Sequence, residues 1–444
     1  MRISIVGTGY VGLVTGVCFA ERGHEVCCVD VDADKVARIN QGHPPIFEEG
    51  LEPLLQSNLG RRFQATTDLP AAVLDSELTM IAVGTPFDGQ RIDLTYIRRA
   101  AEQIGDVLAR KPAYHVVVVK STVVPGTTRS VVMPLLAERS GKRPGADFGV
   151  GMNPEFLSEG VAVQDFMNPD RIVLGSSDAR AGETMQELYA SFRDVEKLTT
   201  NLDTAEMIKY ASNSVLATLI SFANEIGNLC ARLGHIDVED VMRGVHLANY
   251  FSPHAAAAGR VTAPITSFLA AGCGFGGSCL PKDVLALIRH GQAAGEPMPL
   301  LSAVIDINLS QPERMLAMLR EELPTLSNRR VAVLGLAFKP GTDDVRQSPA
   351  IPLLEKLSAA GCRTTAYDPV VNGAQAGHFP PQTEFAPSLE AAVADAEAVM
   401  IVTRWEEFRE LPRIIAQRSV APVVIDGRRM LPANSVARYR GIGC

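Results

Sequence analysis

The stretch "ISIVGTGYVGLVTG", residues 3 to 16, constrains the fold more than any other part of the chain. A β-branched run ends at Gly7, and the glycines at 7, 9 and 12 fall where a strand hands over to a helix. Glycine at the first position permits a tight turn, at the second it lets the backbone approach a pyrophosphate, and at the third it allows close helix packing. The helix N-terminus then stabilises the anion. A glycine pattern of this kind is weak evidence by itself. Here a second apolar strand, "EVCCVD", ends in Asp30, 18 residues after Gly12, where a carboxylate accepts hydrogen bonds from both ribose hydroxyls of a dinucleotide. That acid disfavours the 2′-phosphate of NADP and favours NAD, with Lys35 as the nearby cation that pulls the other way. Tyr10 and Val11, inside the fingerprint, are counted with the glycines as cofactor contacts.

The rhythm set by this unit continues. "LTMIAVGT", "HVVVVKST", "FGVGMNP" and "RIVLGS" read as further strands separated by helical stretches, the pattern of a doubly wound parallel sheet. From about Thr204 the pattern changes to long helical periodicity, and "AEMIKYASNSVLATLISFANEIGNLCARLG" predicts a helix of about 25 residues or more. Strands return with "RVAVLGLAF", "RTTAYDP", "EAVMIVT" and "PVVIDG". The expected architecture is α/β, with two Rossmann-like doubly wound parallel-sheet domains joined by a central long-helix domain. The expected boundaries are 1–203, 204–319 and 320–444. Both α/β domains open with an apolar strand running into Gly-x-Gly or Gly-x-Ala, as a distant internal duplication would leave them.

Bulk properties narrow the partners. A net charge of −8 with Lys and Arg scattered argues against nucleic acid or an anionic membrane surface. "MRISIVG" offers no cationic leader, and no apolar stretch is expected to reach the ~18 to 20 residues of a membrane span, so a cytoplasmic protein with reduced thiols is expected. The eight cysteines lack the paired spacing of a structural zinc site, and no metal is expected. Most read as small buried hydrophobes.

Chemistry is concentrated in a few motifs. Strand ends in an open α/β sheet face the ligand crevice, which places Thr85 and Pro86 of "VGTP" and Ser121 and Thr122 of "KSTVVPGT" near cofactor or substrate. Taken singly, such Ser and Thr residues are ordinarily caps or turn formers. "GCGFGGSCLPKD", residues 272 to 283, contains Cys273 and Cys279, for which a disulfide, a metal site, buried packing and a catalytic thiol are all open. Cys279 precedes a predicted helix through "KDVLALIRHG", whose dipole favours a thiolate, whereas Cys273 sits between glycines with no adjacent charge and reads as a packing residue. Lys209 and Asn213 lie four apart and share one face of the long helix. An isolated lysine there is ordinarily solvated, but Tyr210, Ala211, Val215 and Leu216 make these surroundings apolar. "NPEFLSEG" adds Glu155 and Glu159 after a strand, where a carboxylate can act as base or bind sugar or nicotinamide. A thiol, a lysine, an amide, an acid and an NAD fold suggest thiol-assisted hydride transfer from an alcohol or aldehyde.

With these motifs assembled, the chain resembles the nucleotide-sugar dehydrogenases, the UDP-glucose and GDP-mannose 6-dehydrogenase family. "GTGYVG", "VGTP", "KSTVVPGT", "NPEFLSEG", "KYASNS", "NEIGNLC", "GFGGSCLPKD", "LGLAFKPGTDDVRQSP" and "DGRR" occur in the family's order, essentially end to end. The resemblance implies a four-electron oxidation at C6 of the sugar by two NAD in turn. It assigns Cys279 the capture of the intermediate aldehyde as a thiohemiacetal that is oxidised to a thioester and hydrolysed. Lys209 and Asn213 resemble the pair that stabilises the oxyanion. Asp283, four after the thiol, resembles the acid that positions water or a proton, and Thr122 and Glu155 match the residues that hold the water and serve as base. Glu159, Lys282 and Arg346 resemble cofactor contacts. Glu155, Phe156, Leu157, Glu159, Lys209, Asn213, Phe275 and Gly276 are assigned to the sugar, and Lys339 and Arg428 to the nucleotide, whose pyrophosphate demands cations.

One segment departs from the family pattern. In place of an "RIG"-type sequence, whose arginine reaches the sugar of a neighbouring subunit, the chain has "HLANYFSPHAAAAGRVTAPITSFLAAGCGFGG", in which Arg260 is the candidate substitute. The expected activity is oxidation of UDP-glucose to UDP-glucuronate in polysaccharide precursor synthesis, by a homodimer formed through the long apolar helix. GDP-mannose or a UDP-N-acetylhexosamine would serve the same mechanism. A two-electron hydroxyacid dehydrogenase leaves the third domain and Cys279 without a role, and an NADH-sensing binding protein is the reading from a different functional class.

Overall fold

The computed structural model describes residues 1–255, 259–371 and 373–444, which form two compact units, Met1–Ser212 and Asn213–Cys444.

The first unit is built on eight strands: β1 (Arg2–Val6), β2 (Glu25–Val29), β3 (Phe63–Thr66), β4 (Leu78–Ile81), β5 (His115–Val119), β6 (Phe148–Met152), β7 (Arg171–Ser176) and β8 (Glu196–Thr200). Their order in the sheet is β3-β2-β1-β4-β5-β6-β7-β8. The sheet is parallel, as expected of a doubly wound domain, except at one junction, where β6 and β7 pair antiparallel through Gly151–Ser176 and Met152–Gly175. A run of apolar residues records burial but not strand direction, so this junction left no trace in the sequence. Central strands are buried throughout, as in "HVVVV" of β5. Val116 and Val118 of that strand enter a core with Phe19 and Leu13, while Val117 and Val119 enter another with Ile97 and Ile104. Alternation along a strand sends neighbours to opposite faces, so helices cover both sides.

The second unit contains the hairpin of β9 (His254–Ala255) and β10 (Gly259–Arg260), and a six-stranded sheet of β11 (Arg330–Leu334), β12 (Arg363–Tyr367), β13 (Glu384–Phe385), β14 (Ala398–Ile401), β15 (Val423–Asp426) and β16 (Tyr439–Gly441). The order β13-β12-β11-β14-β15-β16 is all parallel and repeats that of the first six strands of the other sheet. The likeness extends to detail. Gly7 and Gly335 follow β1 and β11 with φ of +103° and +93°, and each N–H bonds the end of the neighbouring strand, at Val29 and Tyr367. Asp30 accepts from Thr8, and Asp368 accepts from the N–H groups of Leu336 and Ala337.

The expected long helix runs from Leu202 to Leu233, capped at its start by Asn201 Oδ1 on Thr204 N at 2.8 Å and ended by Gly234 in the left-handed region. The unit boundary falls inside it, between Ser212 and Asn213. The expectation that nothing in the chain has the length and hydropathy of a membrane span is corrected here, because by length and composition this helix does. Its charges, Asp203, Glu206, Lys209, Glu225 and Arg232, lie toward its two ends and leave Tyr210 to Asn224 uncharged. Glu206 and Lys209 in its opening turns are buried with polar partners, the behaviour of a core helix.

Candidate active site

In the first unit the glycine turn and β2 build a dinucleotide crevice. Gly12 cannot be replaced by a larger residue, since a Cβ there would stand 2.0 Å from the Gly7 carbonyl oxygen. At Gly9 a Cβ would meet nothing within 4 Å, so the backbone is bare on the side where a pyrophosphate would lie. The Asp30 carboxylate accepts from Thr8 N at 2.9 Å and Thr8 Oγ1 at 2.5 Å through one oxygen and from Asp32 N at 3.1 Å through the other, with Lys35 Nζ 3.6 Å away. Burial acts to raise its pKa, but the Thr8 bonds and the Lys35 charge outweigh it and hold the carboxyl below its ordinary value. Thr8 carries no signal of its own in the sequence. The crevice fits NAD: Gly7, Gly9, Tyr10, Val11 and Gly12 line the turn, and an ionised Asp30 stands where the ribose hydroxyls belong.

The loops after the following strands are tied together. Thr85 Oγ1 donates to the Thr122 carbonyl at 2.8 Å, and Ser121 Oγ donates to Val83 O at 2.6 Å, which joins "VGTP" to "KSTVVPGT". The side chains of Thr85 and Ser121 are thereby used in holding the loops. Pro86 is exposed beside them.

Glu155 and Lys209 form a buried ion pair of 2.8 Å, their side chains 6% and 4% exposed. Burial raises the Glu155 pKa, yet the Lys209 ammonium, the Leu157 N–H at 2.7 Å and Lys120 together bring it below the ordinary carboxylate value. Phe156 lies under the Arg171 guanidinium at 3.9 Å and 5.6 Å from Lys209 Nζ. Lys120 was not anticipated as a site residue. It is buried, donates to Asn153 Oδ1 at 2.9 Å, and burial with the Lys209 charge pushes its pKa down to about 8. Tyr189 donates to the same Asn153 oxygen at 2.6 Å. Glu155 thus lies in the field of two buried ammonium groups, an arrangement suited to an anionic base or to charge that develops during a reaction.

In the second unit "GCGFGGSCLPKD" divides as expected for its two cysteines. Cys279 is exposed and is the first residue before the helix Leu280–Ala293, with Ser278 Oγ 3.6 Å from its sulfur. Cys273 is buried, its thiol pushed up by burial and directed at Val402 O. Asp283, 1% exposed, accepts from Asn213 Nδ2 at 2.7 Å and from Lys282 Nζ at 2.6 Å, and its N–H bonds the Cys279 carbonyl. The backbone around Phe275 is held by both ends of Asn308, at 2.7 and 3.0 Å. Gly276 and Gly277 are required by close approach, since their Cβ atoms would fall 2.1 Å from Gln347 O and 2.8 Å from the Phe338 ring. Gly277 N bonds Arg346 O at 2.9 Å, while the Arg346 side chain pairs with Asp344. Lys339 Nζ lies 5.7 Å from the Phe338 ring, and Arg428 Nε donates to Val402 O at 2.6 Å with its guanidinium beside Gly272. These residues are therefore brought into one neighbourhood.

Arg260 is exposed on the β9–β10 hairpin, donating to Leu247 O and lying 3.4 Å from His254. Ala256, Ala257 and Ala258 of the segment that departs from the family pattern lie outside the described residues.

A dinucleotide crevice, a buried acid and lysine, and an exposed thiol at a helix start define the class as a thiol-bearing, dinucleotide-dependent dehydrogenase. Comparison with known proteins agrees. Residues 1–193 match the NAD binding domain of the UDP-glucose/GDP-mannose dehydrogenase family, 203–310 its central domain and 332–433 its UDP binding domain. A UDP-glucose 6-dehydrogenase of Haloferax volcanii is 44% identical over 450 residues, with 100% of both chains covered. A GDP-mannose 6-dehydrogenase of Pseudomonas putida is 38% identical, also with 100% of both covered. The solved structure of a UDP-glucose dehydrogenase from Pyrobaculum islandicum matches with a TM-score of 0.89 at 38% identity, over 99% of this chain and 97% of that one. This chain belongs to the UDP-glucose/GDP-mannose dehydrogenase family.

Proposed function

We propose that the chain is a UDP-glucose 6-dehydrogenase that oxidises UDP-glucose to UDP-glucuronate through a covalent intermediate on Cys279. The observation that carries the chemistry is the exposed Cys279 at a helix start, one turn before the buried Asp283 that Asn213 holds at 2.7 Å. The choice of sugar nucleotide is supported by the Haloferax relative, at 44% identity, over the GDP-mannose enzyme, at 38%.

NAD, when bound, supplies the hydride acceptor for both oxidations. Glu155, kept ionised by Lys209, takes the proton from the C6 hydroxyl, and Lys209 and Asn213 stabilise negative charge on the C6 oxygen. The Cys279 thiolate adds to the aldehyde carbon, which keeps a reactive intermediate bound while the reduced cofactor is exchanged. Loss of a second hydride leaves a thioester. Water held by Thr122 and Asp283 attacks it, the C–S bond breaks, and the thiol is restored with the 6-carboxylate. Gly7, Gly9, Tyr10, Val11, Gly12, Asp30, Lys35, Thr85, Pro86, Ser121, Thr122, Glu159, Lys282 and Arg346 serve the cofactor. Phe156, Leu157, Glu159, Arg260, Phe275, Gly276, Lys339 and Arg428 hold the nucleotide sugar. The division into cofactor, central and sugar-nucleotide domains at 203/204 and 319/320 belongs to the same proposal.

A homodimer in the cytoplasm completes it. Val215, Phe222, Leu229 and Leu233 are exposed apolar residues at helical spacing on the long helix, a stripe that a second copy would cover. Cys18, Cys27, Cys28, Cys230, Cys273, Cys362 and Cys444 are free thiols, which suits a reducing compartment. Phe222→Glu is expected to shift the purified protein to a monomer in light scattering.

The deciding experiment offers the purified protein UDP-glucose, GDP-mannose and UDP-N-acetylhexosamines with NAD and counts NADH. Two NADH per UDP-glucose are expected. One per sugar removes the thioester step, a preference for another sugar moves the substrate, and binding of NADH without turnover of any sugar supports a sensor.

A further inference from the structure

Glu48 lies in the connection between the helices Ala33–Asn40 and Leu51–Asn58, far in sequence from every motif assigned above. Its side chain is nevertheless buried, with the residue 7% exposed. One carboxylate oxygen accepts from Ala162 N at 2.7 Å and Val163 N at 3.4 Å, and the other accepts from Gly160 N at 2.7 Å and from the Tyr10 hydroxyl. Gly160 N is also 3.0 Å from the Tyr10 oxygen, which closes the three groups into a ring. Gly160 has φ of +88°, so the turn that presents this N–H is held in a conformation that other residues resist.

These contacts join two loops with different tasks. Tyr10 is the first residue of the helix that follows Gly9, where the backbone is bare for a pyrophosphate. Gly160 directly follows "NPEFLSE", which carries Glu155, Phe156, Leu157 and Glu159. We infer that Glu48 is a positioning residue for the reaction, latching the cofactor turn at Tyr10 to the loop that carries Glu155 through Glu159. Burial and the neighbouring Glu48 carboxylate raise the Tyr10 pKa, so the hydroxyl stays protonated and remains a donor to the latch across the working pH range. A carboxylate is suited to this task because its two oxygens accept from several donors at once, whereas an amide presents one oxygen and turns an N–H group toward a backbone N–H. An oxidation that consumes two cofactors per sugar empties and refills the crevice in every turnover. A latch that holds both walls in register keeps the second binding event as well organised as the first.

The role of the latch in turnover rests on the reading proposed above; its effect on the cofactor turn does not. The test uses Glu48→Ala, Glu48→Gln and Tyr10→Phe in the full chain, with NADH affinity from fluorescence titration, KM for NAD, kcat and thermal midpoint measured for each. NADH affinity is expected to fall about tenfold in Glu48→Ala and about threefold in Tyr10→Phe, with Glu48→Gln between them. KM for NAD should rise in the same order, and kcat should fall about tenfold in Glu48→Ala because Glu155 is displaced as well. Wild-type NADH affinity and kcat in a folded Glu48→Ala, whatever its thermal midpoint, would overturn the inference and leave Glu48 a purely structural cap. If that variant does not fold, unchanged affinity in both Glu48→Gln and Tyr10→Phe overturns it equally. Failure of the wild-type protein to oxidise UDP-glucose would remove the proposed function, while the NADH titration would still report on the latch.

Discussion

Lys209 Nζ stands 2.8 Å from Glu155 Oε1, with both side chains almost fully removed from water. The desolvation of two charges is offset only while both are present. Lys209→Met is expected to destabilise the protein by about 3–5 kcal/mol, because it leaves a buried carboxylate without its partner. The double variant Lys209→Met, Glu155→Leu should recover most of that loss in urea titration and yet oxidise no sugar. A double variant as unstable as the single one would show that the pair is not coupled; one that remained active would remove both residues from the chemistry.

The two cysteines of the glycine-rich segment differ in exposure, and their variants should differ in kind. Cys279→Ser is expected to change stability by less than about 0.5 kcal/mol and to stop production of the acid. Cys273→Ser places a hydroxyl where the thiol is buried and should cost about 1–3 kcal/mol of stability with turnover retained. Thermal unfolding together with NADH counting separates the two, and a Cys279→Ser enzyme that still completed the oxidation would contradict the covalent route.

Glycines of one fingerprint should also part company. The Gly9→Ala methyl group enters open space, so the variant is expected to fold with a normal thermal midpoint and to bind NAD at least about tenfold more weakly. In Gly12→Ala the methyl group collides with the Gly7 carbonyl at 2.0 Å, and the thermal midpoint itself should fall. Equal midpoints for the two would contradict the close approach.

Glu206 provides a pH test. Its buried carboxylate caps the start of the segment that follows "KSTVVP", accepting from Gly126 N at 2.6 Å and Thr128 N at 2.8 Å, with Asp203 and Arg129 as the charged neighbours. Burial pushes its pKa up from 4.5 to about 7, against the pull of the Thr128 and Gly126 bonds. A carboxyl raised on folding holds its proton more tightly in the folded state. Its stabilising contribution is therefore complete below pH 4.5 and lost as pH rises through about 7. Relative to Glu206→Gln, which does not titrate, the wild type should lose up to about 3 kcal/mol across that window in denaturant titrations. A difference between the two that stayed constant with pH would contradict the shift.

Much of the architecture is written in local pattern. The runs "RISIV", "HVVVV" and "RVAVL" form strands as expected, because they are short and rich in β-branched side chains, which fit a pleated buried surface better than a helix. The long helix, the crevice at Gly7 to Gly12 and the contrast between Cys273 and Cys279 were legible for the same reason, since each depends on neighbours within one turn or one strand. "EKLTT" of β8 and the two-residue β13 were not, because a short, exposed edge strand needs no apolar run.

What only the tertiary structure decided is which polar groups lose their water. Nothing local marks Glu48, Lys120 or Glu206 as different from the exposed Glu49 and Glu183 or the half-buried Lys142, and no spacing rule pairs Lys209 with Glu155. Those assignments depend on strands and loops brought together from distant parts of the chain. Desolvation, which sets the charge state and the cost of every buried acid and base, belongs to the packed assembly of those segments and not to any one of them.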